Sequence, residues 1–129
     1  MRLLLDTHSF LWFIGGAEQL PKTAREAIAD AGNEVLLSVA SLWEIAVKSS
    51  LGKLILGRPF GELIPEQLAL NEIETLPIGL DDLSTLTKLP FHHRDPSDRL
   101  IIAQALTKGL PIVGRDAEFA GYEVELIWY

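Results

Sequence analysis

The chain has 129 residues, enough for one domain spanning 1–129 that buries roughly two thirds of its unfolded surface. With 48% hydrophobic and 22% charged residues and no repeat or low-complexity tract, the composition is that of a globular protein and excludes a disordered one. Eleven basic against 18 acidic residues give a formal charge of −7, which excludes a broad basic face for neutralising phosphates and confines any nucleic-acid contact to a local patch.

The absence of cysteine excludes disulfides, thiolate zinc sites and cysteine nucleophiles, and suits the cytoplasm. Arg2 before Leu3-Leu4-Leu5 begins like a secretory segment, but Asp6 and His8 interrupt it short of the roughly 7 to 15 apolar residues such a segment needs. No apolar run reaches membrane-spanning length, so a cytoplasmic protein without a membrane partner is expected.

In chain order, residues 1 to 6 read as a strand and 7 to 14 as a short, almost wholly apolar helix. A helix over 21 to 31 opens at Pro21, carries Ala24, Ala27, Ile28 and Ala31 at helical spacing and ends at Gly32. A strand at 34 to 38 precedes helices at 39 to 51 and 59 to 70, then come a strand at 73 to 78 and a helix at 80 to 88. The last part reads as a helix at 96 to 108 ended by Gly109, with strands at 111 to 114 and 124 to 128. Short apolar runs alternating with helices predict an α/β fold, a mainly parallel sheet of about five strands with helices on both faces. Such sheets bind ligands beyond the carboxyl ends of their strands, where Asp6 and Asp116 fall.

Four acids stand at seams between apolar runs and helix starts: Asp6, Glu44, Asp98 and Asp116. Carried to the interior edge of a fold they repel one another and lose water, and a divalent cation is the simplest compensation. Hard oxygen ligands favour Mg2+, with Mn2+ as the alternative. Each acid also has a plainer reading. Asp6 would cap the helix that follows it, and Glu44 would form a solvated pair with Lys48 four residues on, although the strip Ser41, Glu44, Lys48 is narrow enough to line a pocket. In Asp95-Pro96-Ser97-Asp98, Asp95 reads as the helix cap and Pro96 as the first helical residue, which leaves Asp98 for the site. Asp116 would serve as a turn residue or cap. Arg94, Arg99 and Arg115 each lie within a few residues of an acid and are candidates for holding a substrate phosphate, against a structural salt bridge for any one of them. A zinc site from His92, His93 and Asp95 lacks a further ligand placed by spacing, and Trp12, Trp43 and Trp128 read as core or dimer contacts.

The segments LLLDTHSFLW, SVASLWEIAVKSSLGKL, LPFHHRDPSDRLIIAQAL and IVGRDAEFAGYEVELIW, in this order, resemble PIN-domain ribonucleases of the VapC type, toxins of bacterial toxin–antitoxin pairs. The resemblance implies a three-layer α/β/α PIN-like domain. It implies that Asp6, Glu44 and Asp98 are the core metal-binding acids and Asp116 a more peripheral fourth, at a site that hydrolyses RNA, a structured RNA such as tRNA included. It also implies an antitoxin of the VapB type whose carboxyl-terminal segment places an arginine in the acidic pocket. The chain departs from the family at Gly114, where Thr or Ser is common, and at Ser97, where a bulky apolar residue is common. The run Leu54-Ile55-Leu56, hard to hide in one small domain, points to a homodimer. Other classes fit less well. A phosphatase with an aspartyl nucleophile would want an acid where His8 stands, and a phospho-receiver needs a central-strand Asp together with a late lysine that runs 73 to 78 and 111 to 114 do not both supply. A PIN-like binding module with weakened catalysis is the remaining alternative, on the strength of Gly114.

Overall fold

The computed structural model describes residues 1–92, 95–115, 119 and 121–128. The elements follow the order β1 (Arg2–Leu5), α1 (Thr7–Gly15), α2 (Lys22–Ala29), β2 (Glu34–Ser38), α3 (Val39–Ser50), α4 (Phe60–Leu70), β3 (Ile73–Leu76), α5 (Leu80–Lys88), α6 (Pro96–Lys108), β4 (Ile112–Val113) and β5 (Leu126–Ile127). The five strands form one parallel sheet in the order β3-β2-β1-β4-β5, with Leu3 opposite Val35 and Leu5 opposite both Leu37 and Val113.

Consecutive apolar residues in β1 and β2 are what a sheet covered on both faces requires. Leu3, Leu5, Val35 and Leu37 pack on one face with Phe10 of α1, Ile28 of α2, Ile45 of α3 and Ile64 of α4. Leu4, Leu36 and Ile112 alternate to the other face and pack with Ile101 and Ile102 of α6 and with Phe119. Each such side chain removed fully from water contributes about 1.5 to 3 kcal/mol. The layered fold and strand count match the sequence expectation, with shorter strands on one side of β1: β4 keeps only Ile112 and Val113, and β5 only Leu126 and Ile127. Helix α2 is also shorter than 21 to 31, because Pro21 is its cap and extended backbone at Asp30 ends it.

Strand β1 lies between β2 and β4, so the chain moves outward in one direction through β3 and in the other through β5. The carboxyl ends of β1 and β4 meet at this reversal, where the Asp6 N–H donates to the Val113 carbonyl at 3.1 Å. Ser9 of α1 donates its hydroxyl to the same carbonyl at 2.9 Å and ties the first helix to that edge. No helix among the described residues is long and apolar enough to cross a membrane.

Candidate functional site

Three helix starts and one helix face converge beyond the carboxyl ends of the strands. Asp6 caps α1, its Oδ1 accepting from the Ser9 N–H at 2.7 Å, and so fixes where Thr7 points. Helix α3 begins directly after β2, with Ser38 as its cap, and its second turn carries Glu44. Helix α6 begins at Pro96 under the Asp95 cap, whose Oδ1 accepts from the Asp98 N–H at 3.0 Å. Packing of α3 against α6 puts Glu44 beside Ser97.

Glu44 is 8% exposed and fully engaged. Its Oε1 accepts from the Thr7 hydroxyl at 3.0 Å and the Ser97 hydroxyl at 2.7 Å, and its Oε2 from the Lys48 ammonium at 2.5 Å. The Thr7 oxygen also lies 2.9 Å from the buried Ser41 hydroxyl, so a Ser41–Thr7–Glu44 relay satisfies both groups. The Ser97 oxygen stands 2.6 Å from Asp95 Oδ1 as well as 2.7 Å from Glu44. One hydroxyl proton cannot serve two carboxylates at once, so Ser97 couples Asp95 to Glu44.

Among the described residues, Glu44, Asp95 and Asp98 offer carboxylate oxygens that all lie within 4.8 Å of one another. Of these three carboxylates, Glu44 is ion-paired with the Lys48 ammonium. Burial raises the Glu44 pKa, but the hydrogen bonds from Lys48, Ser97 and Thr7 outweigh it and hold the carboxyl below its ordinary value. Burial likewise works against ionised Asp95 and is outweighed by the Ser97 hydroxyl and the Asp98 and Ser97 N–H groups. Lys48 is raised by its hydrogen bond to Glu44, against its own burial and with help from the charges of Glu44, Asp95 and Asp98. The candidate ligands are all carboxylate oxygens, and Glu44 and Asp95 are held toward their ionised forms. This set fits a hard cation such as Mg2+ or Mn2+ and does not suit zinc, which prefers nitrogen and sulfur.

Of the four acids singled out in the sequence, the structure therefore gathers Glu44 and Asp98, and joins to them Asp95, which the local pattern assigns only to capping. Asp6 stands at the neighbouring corner, 4% exposed, one oxygen capping α1 and the other set against Gly114. A Cβ on Gly114 would come 2.7 Å from Asp6 Oδ2 and 2.6 Å from the Phe119 ring, so this glycine is what lets Asp6 and Phe119 close on each other. Asp116 and Arg94 lie outside the described residues.

Arg99 is buried and donates to the carbonyl oxygens of Pro90 at 3.0 Å and of Leu86 and Leu89 at 3.4 Å, with Phe91 stacked 4.1 Å from its guanidinium carbon. These contacts hold the α5–α6 connection and assign Arg99 a structural set of partners. Arg115 is exposed, with its guanidinium 5.4 Å from the Trp12 ring centre. Trp12 and Trp128 pack against the first core, whereas Trp43 is 59% exposed. Leu54 and Leu56 turn onto that core and leave only Ile55 of the run exposed.

The PIN domain family matches residues 3–124 of the chain. Ribonuclease VapC22 of Mycobacterium tuberculosis is 30% identical over 115 residues, which cover 88% of this chain and 86% of that protein. Ribonuclease VapC16 of the same organism is 36% identical over a shorter stretch of 61 residues, 47% of this chain and 42% of that protein. Among solved structures, VapBC2 from Rickettsia felis bound to a promoter DNA fragment superposes with a TM-score of 0.72 at 15% identity, covering 98% of this chain and 97% of that one. VapBC-1 from nontypeable Haemophilus influenzae gives 0.66 at 15% identity, covering 98% and 96%. At these identities the superpositions speak to the fold. Together with the family match over nearly the whole length and the full-length VapC22 likeness, they establish that the chain belongs to the PIN-domain family, among its VapC-type members.

Proposed function

We propose that this protein is a metal-dependent endoribonuclease, the toxin of a toxin–antitoxin pair, and that it hydrolyses RNA phosphodiester bonds at its carboxylate centre with Mg2+ or Mn2+. The observation that carries this reading is the convergence of three carboxylates, with oxygens within 4.8 Å of one another, in a chain matched by the PIN family over residues 3–124. Glu44, Asp95 and Asp98 would hold the metal, with Asp6 and Asp116 contributing from the adjoining strand ends. A divalent ion bound there supplies a Lewis acid for the phosphate and an acidified water.

The remaining work falls to the chain's own groups. Thr7, Ser97 and Lys48 hold Glu44 in one orientation, and the Asp95 cap fixes the first turn of α6 from which Asp98 projects. Arg115 and Arg94 are assigned to the substrate phosphate. Arg99 would act through the loop it anchors. A structured RNA such as tRNA is the substrate class that the family likeness supports.

The partner we assign is a VapB-type antitoxin, by analogy with the VapBC complexes of similar fold, and the cytoplasm is the compartment. A homodimer is supported by large apolar side chains left at the surface, Trp43 and Ile55 among them. The test is incubation of purified protein with RNA: cleavage that requires Mg2+ or Mn2+, stops in chelator and is lost in folded Asp6→Asn supports the proposal. The alternative, a PIN-like module without catalysis, draws on the missing hydroxyl at Gly114. A folded protein that binds RNA and metal but cuts nothing would establish it instead.

A further inference from the structure

A recess of about 160 Å³ opens beside the acid cluster and is lined by Thr7, Glu44 and Lys48 of the site just described. Its other wall carries His8, Lys53 and Leu54. In a chain of net charge −7, two lysines thus line one small recess at the candidate site.

The fold places the second lysine there by a specific turn. Gly52 has φ +72, a left-handed conformation that glycine adopts without strain, and it follows the last turn of α3. The Lys53 and Leu54 N–H groups then both donate to the Lys48 carbonyl, at 2.9 and 3.2 Å. The chain thus folds back on the helix end, and Leu54 pins the turn to the core. Lys53 is exposed and makes no ion pair among the described residues. A solvated lysine near a helix carboxyl end is the ordinary explanation for such a residue. The Gly52 helix end accounts for the turn, but neither explanation accounts for a second ammonium on the same recess. An anionic occupant accounts for the second ammonium, because Glu44 already engages Lys48 and leaves the Lys53 charge for a ligand.

We propose that the recess between Lys48 and Lys53 is a subsite for a phosphodiester of the RNA flanking the one held at the acid cluster. The identity of this ligand rests on the nuclease reading above. Two ammonium groups suit the non-bridging oxygens of such a phosphate, and the apolar wall excludes water from one side of it.

The test is binding of a labelled mixed-sequence single-stranded RNA oligonucleotide, in chelator so that no cleavage competes, over a salt series starting from low salt. Lys53→Gln should weaken binding about fivefold and reduce the slope of log K against log salt by about 0.7, the value for one phosphate of a single strand that is no longer neutralised. Lys53→Arg should restore both. Under turnover with Mg2+, Lys53→Gln should raise KM and leave kcat close to wild type. An unchanged affinity and slope in Lys53→Gln overturns the subsite, including the case in which the lysines serve an acidic segment of a protein partner. Absence of measurable RNA binding by wild type at low salt overturns it too. If wild type shows the lysine-dependent slope yet cuts no RNA with Mg2+ or Mn2+, the nuclease reading fails and the subsite stands.

Discussion

Replacing Glu44 by Gln preserves its shape and removes its charge, and the structure fixes what each half of the side chain then meets. The amide oxygen can still accept from Thr7 and Ser97, but the amide NH2 group is set against the Lys48 ammonium, donor facing donor. Loss of that charge-assisted bond costs about 1.5 to 3 kcal/mol, discounted toward 1 because the Lys48 side chain is 42% exposed. Working the other way, neutralisation relieves repulsion: two charges 4.8 Å apart repel by about 3.5 kcal/mol at an effective dielectric near 20 before screening. The three donors on Glu44 set the sign: burial raises its pKa, but hydrogen bonds from Lys48, Ser97 and Thr7 outweigh burial and hold the carboxyl below the ordinary value, so the fold favours the ionised form.

Glu44→Gln should therefore be less stable than wild type in chelator at neutral pH, by about 1 to 2 kcal/mol, or a Tm lower by roughly 3 to 12 °C. Glu44 and Asp95 are both held below their ordinary pKa values, so their stabilisation is present above the normal carboxylate range and is lost as pH falls through it. The gap between wild type and Glu44→Gln should close as pH falls through the lowered pKa of Glu44 in the folded protein. Urea melts in chelator at neutral and acid pH measure both effects. A Glu44→Gln protein as stable as wild type at neutral pH would refute the reasoning, since repulsion among the acids would then outweigh the cage around Glu44.

Asp95→Ala should lose about 0.5 to 2 kcal/mol in chelator as the α6 cap disappears. Asp95→Asn should keep most of the cap and lose the stabilisation that Mg2+ gives wild type, so melts of the two variants with and without metal separate the two roles. Gly114→Ala forces a Cβ against Asp6 and Phe119 and should cost about 1 to 3 kcal/mol by thermal melting, with a drop in RNA cleavage as Asp6 is pushed aside. Lys108→Met is the structural control: it strands fully buried Asp82, which Lys108 reaches at 2.7 Å, and should destabilise by up to about 3 kcal/mol equally with and without metal.

The fold was legible because its signals are local. Apolar runs at Leu3–Leu5 and Val35–Leu37, the Asp95-Pro96 start and the Gly109 stop each act over a few residues, and the strands and helices fall where those signals place them. The site was legible only in part, because it is made by the packing of α3 on α6, which no spacing along the chain displays. Asp95 caps its helix as its neighbours predict and also joins the acid cluster, a second role that depends on where Glu44 lies. Ser97 stood out in sequence only as a departure from the family resemblance, and the structure sets its hydroxyl between two carboxylates. Arg99 adjoins Asp98 in sequence, but successive residues on a helix point about 100° apart, and that rotation carries the arginine into the carbonyl cage of the α5–α6 connection. Leu54-Ile55-Leu56 looks uniformly apolar as a string, yet the turn half-buries the outer two and exposes the middle one.

The claim on which everything else depends is that the carboxylates gathered beyond the strand ends hold a divalent cation. Equilibrium binding of Mn2+, followed by loss of the free-ion electron paramagnetic resonance signal, tests it without reference to any substrate. Wild type should bind the ion and Asp98→Asn, confirmed folded by circular dichroism, should bind it roughly tenfold or more weakly. Equal Mn2+ affinity in the two proteins would contradict the account, and the metal centre would have to be sought elsewhere in the chain.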